Sequence, residues 1–460
     1  MSKNKRKKIC IIGLGFVGAA MLIAISKKNG NNHDIIGIEK NNQKGLKIIS
    51  DFNKGVFPIS TNDTNLKKTC KNLFKMNYYR CTSNLNEVKN ADIIIIDINL
   101  DIKKISTSNP EIKLNQYLNS FKKILNELNS SPLFIIQSTV PPGFTENYIK
   151  PLIINNLVKN RININEIKLC YSFERVMPGL NYLSSIVDNW RVIGSLNKKS
   201  ANQSKLFFES FINTKKYPLT MLPSIVSAEM AKVMENSYRA TNIAFVEEWS
   251  RLAEYLNIDI YKIINAIKIR PTHKNLAKPG FGVGGYCLTK DPLFGIVSNK
   301  LIYKKNFTFP ISSRAITINK KMPLQTIKLM SYHTDTFKNK LVALFGISYK
   351  EDVGDIRFSP SIVFARRLKS LGSKVIGFDP LIKECDDFDL FYNNKLPDSK
   401  NIDFLVLAVP HKIFLNIKFH KYITSKKTCI VDSFNVLSLN QIRLLRKENI
   451  KIISIGKGNA

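Results

Sequence analysis

Lys8-Ile9-Cys10-Ile11-Ile12-Gly13-Leu14-Gly15-Phe16-Val17-Gly18 stands near the start of this 460-residue chain. An apolar run of strand length passes into Gly-x-Gly-x-x-Gly, and a helix-compatible run, Ala19 to Ser26, follows. The next apolar run, Ile35-Ile36-Gly37-Ile38, stops at an acid, Glu39, with Lys40 beside it. Strand, glycines, helix, strand and acid in that order form a dinucleotide-binding fingerprint. Glycines permit the tight turn, the helix N-terminus stabilises a pyrophosphate, and the carboxylate accepts both hydroxyls of an adenosine ribose. The same carboxylate repels a 2′-phosphate. NAD is therefore expected rather than NADP, held by Gly13, Gly15, Phe16, Val17, Gly18, Glu39 and Lys40.

The N-terminus also imitates a signal peptide or anchor, because a basic run, Lys3 to Lys8, precedes a mostly apolar stretch, Ile9 to Ser26. Three glycines at fingerprint spacing interrupt that stretch and Lys27-Lys28 closes it. A spanning helix wants about 20 apolar residues, and a signal peptide ends in a small-residue cleavage site. A buried strand and its helix are the expectation, with no membrane span and a cytoplasmic location.

Further along, short β-rich runs alternate with helical segments up to about Ile193, at Ile93–Ile96, Phe134–Gln137, Leu169–Ser172 and Arg191–Ile193. The same grammar returns from Leu341 to Gly346, through a helix at about Pro360 to Leu371, to Val375–Asp379, Phe404–Ala408 and Cys429–Asp432. This alternation predicts an α/β chain with two Rossmann-type domains. Between them, Ser224 to Leu256 contains neither proline nor glycine and predicts a long central helix. Val226, Met230, Val233, Ala240, Ala244, Leu252 and Leu256 give it an apolar seam. Glu229, Lys232, Asn236 and Arg239 share another face, which by periodicity alone reads as solvated. The expected domains are 1–200, 201–330 and 331–460.

Composition narrows the function classes. The formal charge is +35, but the lysines are spread along the chain without an RNA-binding aromatic motif or zinc-finger spacing. A solvated basic surface is expected, with no specific nucleic-acid partner. Seven cysteines lack paired or metal-like spacing, which suits a reducing compartment, and five dispersed histidines give no metal signature. One cysteine stands apart. In Gly282-Val283-Gly284-Gly285-Tyr286-Cys287-Leu288-Thr289-Lys290-Asp291 a thiol sits on a glycine-rich turn, with a cation and a carboxylate three and four residues on. A thiol beside a cation ionises more readily, and the thiolate attacks carbonyls.

Six ordered motifs resemble the UDP-glucose/GDP-mannose dehydrogenase family over nearly the whole chain. The cofactor turn comes first. Ser138-Thr139-Val140-Pro141-Pro142-Gly143 resembles the family's loop beside the nicotinamide, and Glu174-Arg175-Val176-Met177-Pro178-Gly179 its loop with a catalytic glutamate. Ala228 to Asn236 is similar to the helix bearing the family's lysine and asparagine, and Gly282 to Asp291 to its cysteine loop. Gly346-Ile347-Ser348-Tyr349-Lys350 with Asp355-Ile356-Arg357-Phe358-Ser359-Pro360 resembles the start of its UDP-binding domain.

The resemblance implies an NAD-dependent, four-electron oxidation of a UDP-sugar C6 alcohol to a carboxylate, for surface polysaccharide. Cys287 would hold the aldehyde as a thiohemiacetal and then as a thioester. Lys232 and Asn236 would stabilise oxyanions, and Glu174, Asp291 and Thr139 would organise or deprotonate water. Ser138 and Thr139 would meet the cofactor. Glu174, Arg175, Lys232, Asn236, Arg270, Gly284, Lys350 and Arg357 would meet the substrate, Arg270 across a homodimer. The Glu174–Gly179 loop, Asn189-Trp190-Arg191-Val192-Ile193-Gly194 and the Gly282–Gly285 quartet resemble enzymes acting on UDP-N-acetylhexosamines. Tyr286 to Asp291 resembles UDP-glucose dehydrogenases, and Pro178 stands where those enzymes tend to place a second glutamate. An N-acetylhexosamine is favoured, with UDP-glucose the alternative. Asp97-Ile98-Asn99-Leu100-Asp101 departs from the family's proline-threonine-proline turn. Two other classes remain at this stage, a two-electron hydroxyacid dehydrogenase with a structural Cys287 and an NAD-binding scaffold without chemistry.

Overall fold

In the computed structural model, residues 6–392 and 395–457 are described; Lys3 and Lys5 of the basic run lie outside them. The chain divides into two units. One runs to Glu235 and takes in Leu293–Thr308; the other comprises Asn236–Pro292 and the residues from Phe309 on.

Eight strands build the sheet of the first unit: β1 (Lys8–Ile12), β2 (Asp34–Ile38), β3 (Arg80–Thr82), β4 (Ile93–Ile96), and then, after a hairpin of β5 (Ile102–Lys104) and β6 (Glu111–Ile112), β7 (Leu133–Ile136), β8 (Lys168–Tyr171), β9 (Val192–Ser195) and β10 (Thr220–Leu222). The order β10-β9-β8-β7-β4-β1-β2-β3 is parallel except at the β8/β9 pair. Alternate side chains point to opposite faces of a strand. Ile9 and Ile11 accordingly enter one core with Leu22, Ile25 and Phe208, while Cys10 and Ile12 enter the other with Phe121 and Phe134. Both faces are covered, so the strands read as continuous apolar runs. Helix α1 (Phe16–Asn29) is buried without a break from Gly18 to Ser26. Its continuous apolarity comes from burial within the domain, and no described helix is long and apolar enough to cross a membrane.

The second unit repeats the plan with β11 (Leu341–Phe345), β12 (Lys374–Asp379), β13 (Asp389–Tyr392), β14 (Phe404–Leu407), β15 (Cys429–Asp432) and β16 (Lys451–Ser454). Its order, β13-β12-β11-β14-β15-β16, is parallel throughout. Both sheets reverse their winding beside their first strand, at β1/β4 and at β11/β14, and ligands bind outside the carboxyl ends of the strands at such a point. The apolar runs of the sequence did not mark β3, β10, β13 and β16. All four are edge strands, where one flank is unpaired and the apolar signal is diluted.

The central helix runs Ile225–Tyr255. Its expected faces need correction. Met230, Leu252 and Leu256, assigned to the buried seam, are about half exposed, whereas Glu229, Lys232 and Asn236, read as solvated, are buried. Arg239 alone of that polar set is exposed. A helix with apolar residues around most of its circumference offers no single seam, so its neighbours decide which side is covered.

Candidate active site

The glycine turn of the first unit has three distinct constraints. Gly13 has φ +94°, and a Cβ there would lie 2.9 Å from the Asp97 carbonyl oxygen. A Cβ on Gly18 would fall 1.9 Å from the Gly13 carbonyl oxygen, so α1 can approach the turn only without a side chain. Gly15 is different: it is exposed, and a Cβ there would meet nothing within 4 Å. It is also the N-cap of α1 and provides no side-chain cap. Open space at the positive end of a helix without a side-chain cap fits a pyrophosphate. Glu39, at the end of β2, accepts the Leu14 N–H at 2.7 Å and the Lys40 N–H at 2.8 Å, which ties the acid to the turn.

Ser138, expected at the cofactor, is buried. Its hydroxyl donates to the carbonyl of Ile98 and accepts from Tyr117 Oη at 3.2 Å, so it is turned into the protein. Thr139, the next residue, is part-exposed. The turn is fastened from below by Glu229, whose two carboxylate oxygens accept the Gly143 N–H at 2.6 Å and the Thr145 N–H at 2.9 Å. Three residues on, Lys232 Nζ donates to the Glu174 carbonyl oxygen at 2.9 Å and lies 5.3 Å from the centre of the Phe173 ring. Arg175 is committed to the protein: it pairs with Glu235 at 2.8 Å and donates to the Trp190 carbonyl oxygen at 2.7 Å. The first unit thus brings Lys232 to the Glu174 loop and fastens the Thr139 turn to the same helix.

Sequence reasoning missed a buried polar chain beneath this site. With the Gln137 amide turned to satisfy its neighbours, it donates to Asp97 at 3.1 Å and accepts from Arg191 Nη1 at 2.6 Å. Burial and the nearby Glu174 charge push Asp97 well above the usual carboxylate range, while burial brings Arg191 down to about 10. The departure at Asp97 from the family's turn was the available signal, but nothing in the spacing linked it to Gln137 or Arg191.

The second unit holds the cysteine loop. Cys287 is the exposed cysteine; Cys385 is partly covered and the other five are buried. Burial pushes the Cys10, Cys170 and Cys429 thiols up to about 12, which leaves them inert as nucleophiles. The Asp291 N–H donates to the Cys287 carbonyl oxygen at 2.9 Å. The Asp291 carboxylate is fully buried, with Oδ1 2.7 Å from Lys290 Nζ and Oδ2 accepting from Asn236 Nδ2 at 2.7 Å. Lys290 also lies 4.5 Å from the centre of the Tyr286 ring. The expected cation beside the thiol is therefore matched by Asp291.

The loop's glycines have a packing reason. A Cβ on Gly284 would lie 2.7 Å from Tyr349 Cβ and 2.8 Å from the Phe358 carbonyl oxygen, and the Gly285 N–H donates to the Arg357 carbonyl oxygen at 3.0 Å. Gly284, expected at the substrate, is thus required by its contact with the 346–360 loop. Arg357 forms a two-pronged pair with Asp355 and lies 5.4 Å from the centre of the Tyr286 ring. Lys350 lines a cavity of about 130 Å³ with Ser348, Tyr349, Val409 and Phe434, at the carboxyl ends of β11 and β14. Arg270 is exposed ahead of a short 3-10 turn.

An open glycine turn, an uncapped helix and an acid ending the second strand define the first unit as that of an NAD-linked dehydrogenase. Family models agree in chain order: the NAD binding domain of the UDP-glucose/GDP-mannose dehydrogenase family matches residues 7–212, its central domain 226–321 and its UDP binding domain 343–439. The chain belongs to this family and is an NAD-dependent nucleotide-sugar dehydrogenase. It is 31% identical to a UDP-N-acetyl-D-mannosamine dehydrogenase of Methanocaldococcus jannaschii, over 98% of this chain and 97% of that one. In fold it is similar to the UDP-D-ManNAc dehydrogenase of Pyrococcus horikoshii, with TM-score 0.80, 23% identity and coverage of 98% of this chain and 100% of that one. A UDP-glucose dehydrogenase of Pyrobaculum islandicum shares the fold too, with TM-score 0.82, 17% identity and coverage of 100% and 99%.

Proposed function

We propose that the chain oxidises a UDP-N-acetylhexosamine, with UDP-N-acetylmannosamine the favoured substrate, to the corresponding UDP-uronic acid for surface polysaccharide. The observation that carries the chemistry is Cys287, the exposed thiol among seven, on a turn packed by glycines and followed by the buried Asp291–Lys290–Asn236 network. Support for the sugar comes from the 31% identical relative and from the Glu174–Gly179 motif. The Tyr286–Asp291 motif favours the second reading, UDP-glucose.

Bound NAD supplies the hydride acceptor, twice per sugar. The first oxidation turns the alcohol into an aldehyde and releases a proton. The Cys287 thiolate adds to the aldehyde carbon, because a carbonyl has no readily lost hydride until it becomes tetrahedral. Loss of the second hydride leaves a thioester, and water cleaves it to carboxylate and free thiol. One alcohol, one water and two NAD thus give one carboxylate, two NADH and three protons. Lys232 and Asn236, one helical turn apart, are assigned to the developing oxyanions. Asp291, with Glu174 and Thr139, is assigned to water. The Lys350 cavity is assigned to the UDP and Arg357 to the sugar end.

Segments 1–200, 201–330 and 331–460 are read as NAD-binding, central and UDP-sugar-binding. A homodimer in the cytoplasm is part of the same reading. Its support is an exposed stripe of Tyr238, Phe245, Trp249 and Leu252 at helical spacing on the central helix, continued by Leu256 just past its end. Arg270 is assigned to a neighbouring copy's substrate. Trp249→Glu is expected to give monomers in light scattering; a dimer of unchanged strength removes the stripe from the interface.

The decisive experiment counts NADH per sugar over a panel of UDP-sugars. Two NADH per UDP-N-acetylmannosamine are expected, and none after Cys287→Ala beyond the first oxidation. One NADH per sugar in the wild type rejects the thioester route and supports a two-electron enzyme. NAD binding without turnover of any nucleotide sugar supports a scaffold.

A further inference from the structure

We propose that Glu229 is a positioning residue for the oxidation: its ionised carboxylate clasps the Gly143 and Thr145 amides and so sets the Thr139 turn in register with Lys232. The inference rests on the assignment of Thr139 and Lys232 to the reaction. Glu229 is fully buried on the central helix, and no described lysine, arginine or histidine forms an ion pair with it. A buried carboxylate without a counterion is costly unless N–H donors replace water. Here each oxygen takes one backbone donor from the segment that begins at Ser138. The opposite side of that segment is equally confined. Gly143 has φ +90°, and a Cβ there would lie 2.4 Å from Tyr303 Oη, so the backbone at Gly143 is held between Tyr303 and Glu229. Ser298 also holds the turn, its hydroxyl donating to the Pro142 carbonyl oxygen at 2.6 Å.

Protonation spoils this geometry. A neutral acid must find an acceptor for its O–H, and its protonated oxygen holds an amide more weakly, so the two-pronged grip loosens. Burial pushes Glu229 up to about 7, against the pull of the Thr145 and Gly143 bonds, and the nearby Glu146 charge pushes the same way. Tyr303 and Tyr117 also face it and respond to its charge; burial raises both phenols, so they stay neutral near pH 7. The clasp therefore closes as pH rises through about 7 and opens as pH falls below it. Stability runs the other way. A carboxyl raised in the fold from 4.5 to about 7 contributes stability at low pH that is lost as pH rises through that window. A purely structural acid would not make rate and stability move in opposite directions.

The test compares wild type with Glu229→Gln and Glu229→Asp, using Thr139→Ala and Lys232→Ala as controls. Each is assayed for kcat, both KM values and thermal stability between about pH 5.5 and 8.5. For Glu229→Gln, kcat should fall about tenfold to a hundredfold, since small misplacements of catalytic groups have that effect. Its KM for the UDP-sugar should change little. The acid limb of kcat near pH 7 should vanish, together with the opposing slope in stability. Glu229→Asp keeps the charge and should keep a limb. Unchanged kcat, or an unchanged limb, in Glu229→Gln overturns the proposal, as does loss of the limb in Glu229→Asp should the glutamine variant not fold. If Thr139→Ala and Lys232→Ala also leave kcat intact, the assigned machinery fails instead.

Discussion

The two sheets have the same strand order around their first strand, yet the groups at their carboxyl ends are arranged for different work. In the first, Gly15 is open and α1 starts with no side-chain cap. In the second, Gly346 follows the corresponding strand, and a Cβ there would lie 2.4 Å from Val409 Cβ. Its following helix, Pro360–Ser370, starts later and is capped by Ser359, which accepts the Ser361 N–H. The two acids diverge in the same way. Glu39 is part-exposed with two backbone donors on it, whereas Asp379 is fully buried and accepts from Ile347, Ser348, Leu381 and Ile382. His411 Nε2 adds a contact to Asp379 at 3.3 Å, and its Nδ1 accepts the Asp352 N–H at 3.1 Å. One acid is left available to a ligand. The other organises a loop. A shared topology supplies the crevice, but the termini and acids around it select the ligand.

The largest expected break in this contrast is Gly18→Ala. A methyl 1.9 Å from the Gly13 carbonyl oxygen must displace α1 or the turn. Overpacking of this kind costs on the order of 3 kcal/mol, so NAD affinity should drop about a hundredfold in calorimetry while UDP still binds. Next comes Asp379→Asn, which puts an NH₂ group against two backbone donors. It should destabilise the fold by about 2 kcal/mol and weaken UDP, leaving NAD affinity nearly unchanged. Burial pushes Asp379 up, but its bonds from His411 and the loop amides outweigh this and hold it below 3.8. Its stabilisation is therefore complete above that value and lost as pH falls through the lowered one, a slope that acid melts of the asparagine variant should lack.

Smaller effects sharpen the contrast. Lys350→Ala should raise KM for the UDP-sugar about tenfold, ~1.4 kcal/mol, with no change in KM for NAD. A matching rise for NAD would mean that the cavity at β11/β14 does not serve the nucleotide sugar alone. Glu39→Gln should cost only a few-fold in NAD affinity, ~1 kcal/mol, and narrow the preference over NADP, measured as the ratio of kcat/KM values. An unaltered ratio would remove Glu39 from cofactor selection.

Much of this was legible because it is local. The fingerprint specifies much of its own turn, since Gly13 takes a positive φ and Gly18 answers to the Gly13 carbonyl just before it. The cysteine loop was legible as a glycine-rich turn, but its glycines answer to Tyr349 and Phe358, which the spacing does not reveal. The central helix was legible only as a helix. Its period could not say that Glu229 would sit under a turn 86 residues earlier in the chain, or that Leu252 would remain exposed. Motif alone put Ser138 at the cofactor, and it could not say that its hydroxyl would donate to the carbonyl of Ile98, 40 residues earlier.

Periodicity, glycine spacing and the two strand-end acids determined an α/β chain with two nucleotide-type sheets and a cysteine on a glycine-rich turn, because each depends on backbone geometry within a short span. Tertiary structure alone decided which charges became buried, which acid stayed open and which glycines were needed for packing. Those outcomes depend on groups distant in sequence, whose desolvation and hydrogen bonds exist only after the chain has folded.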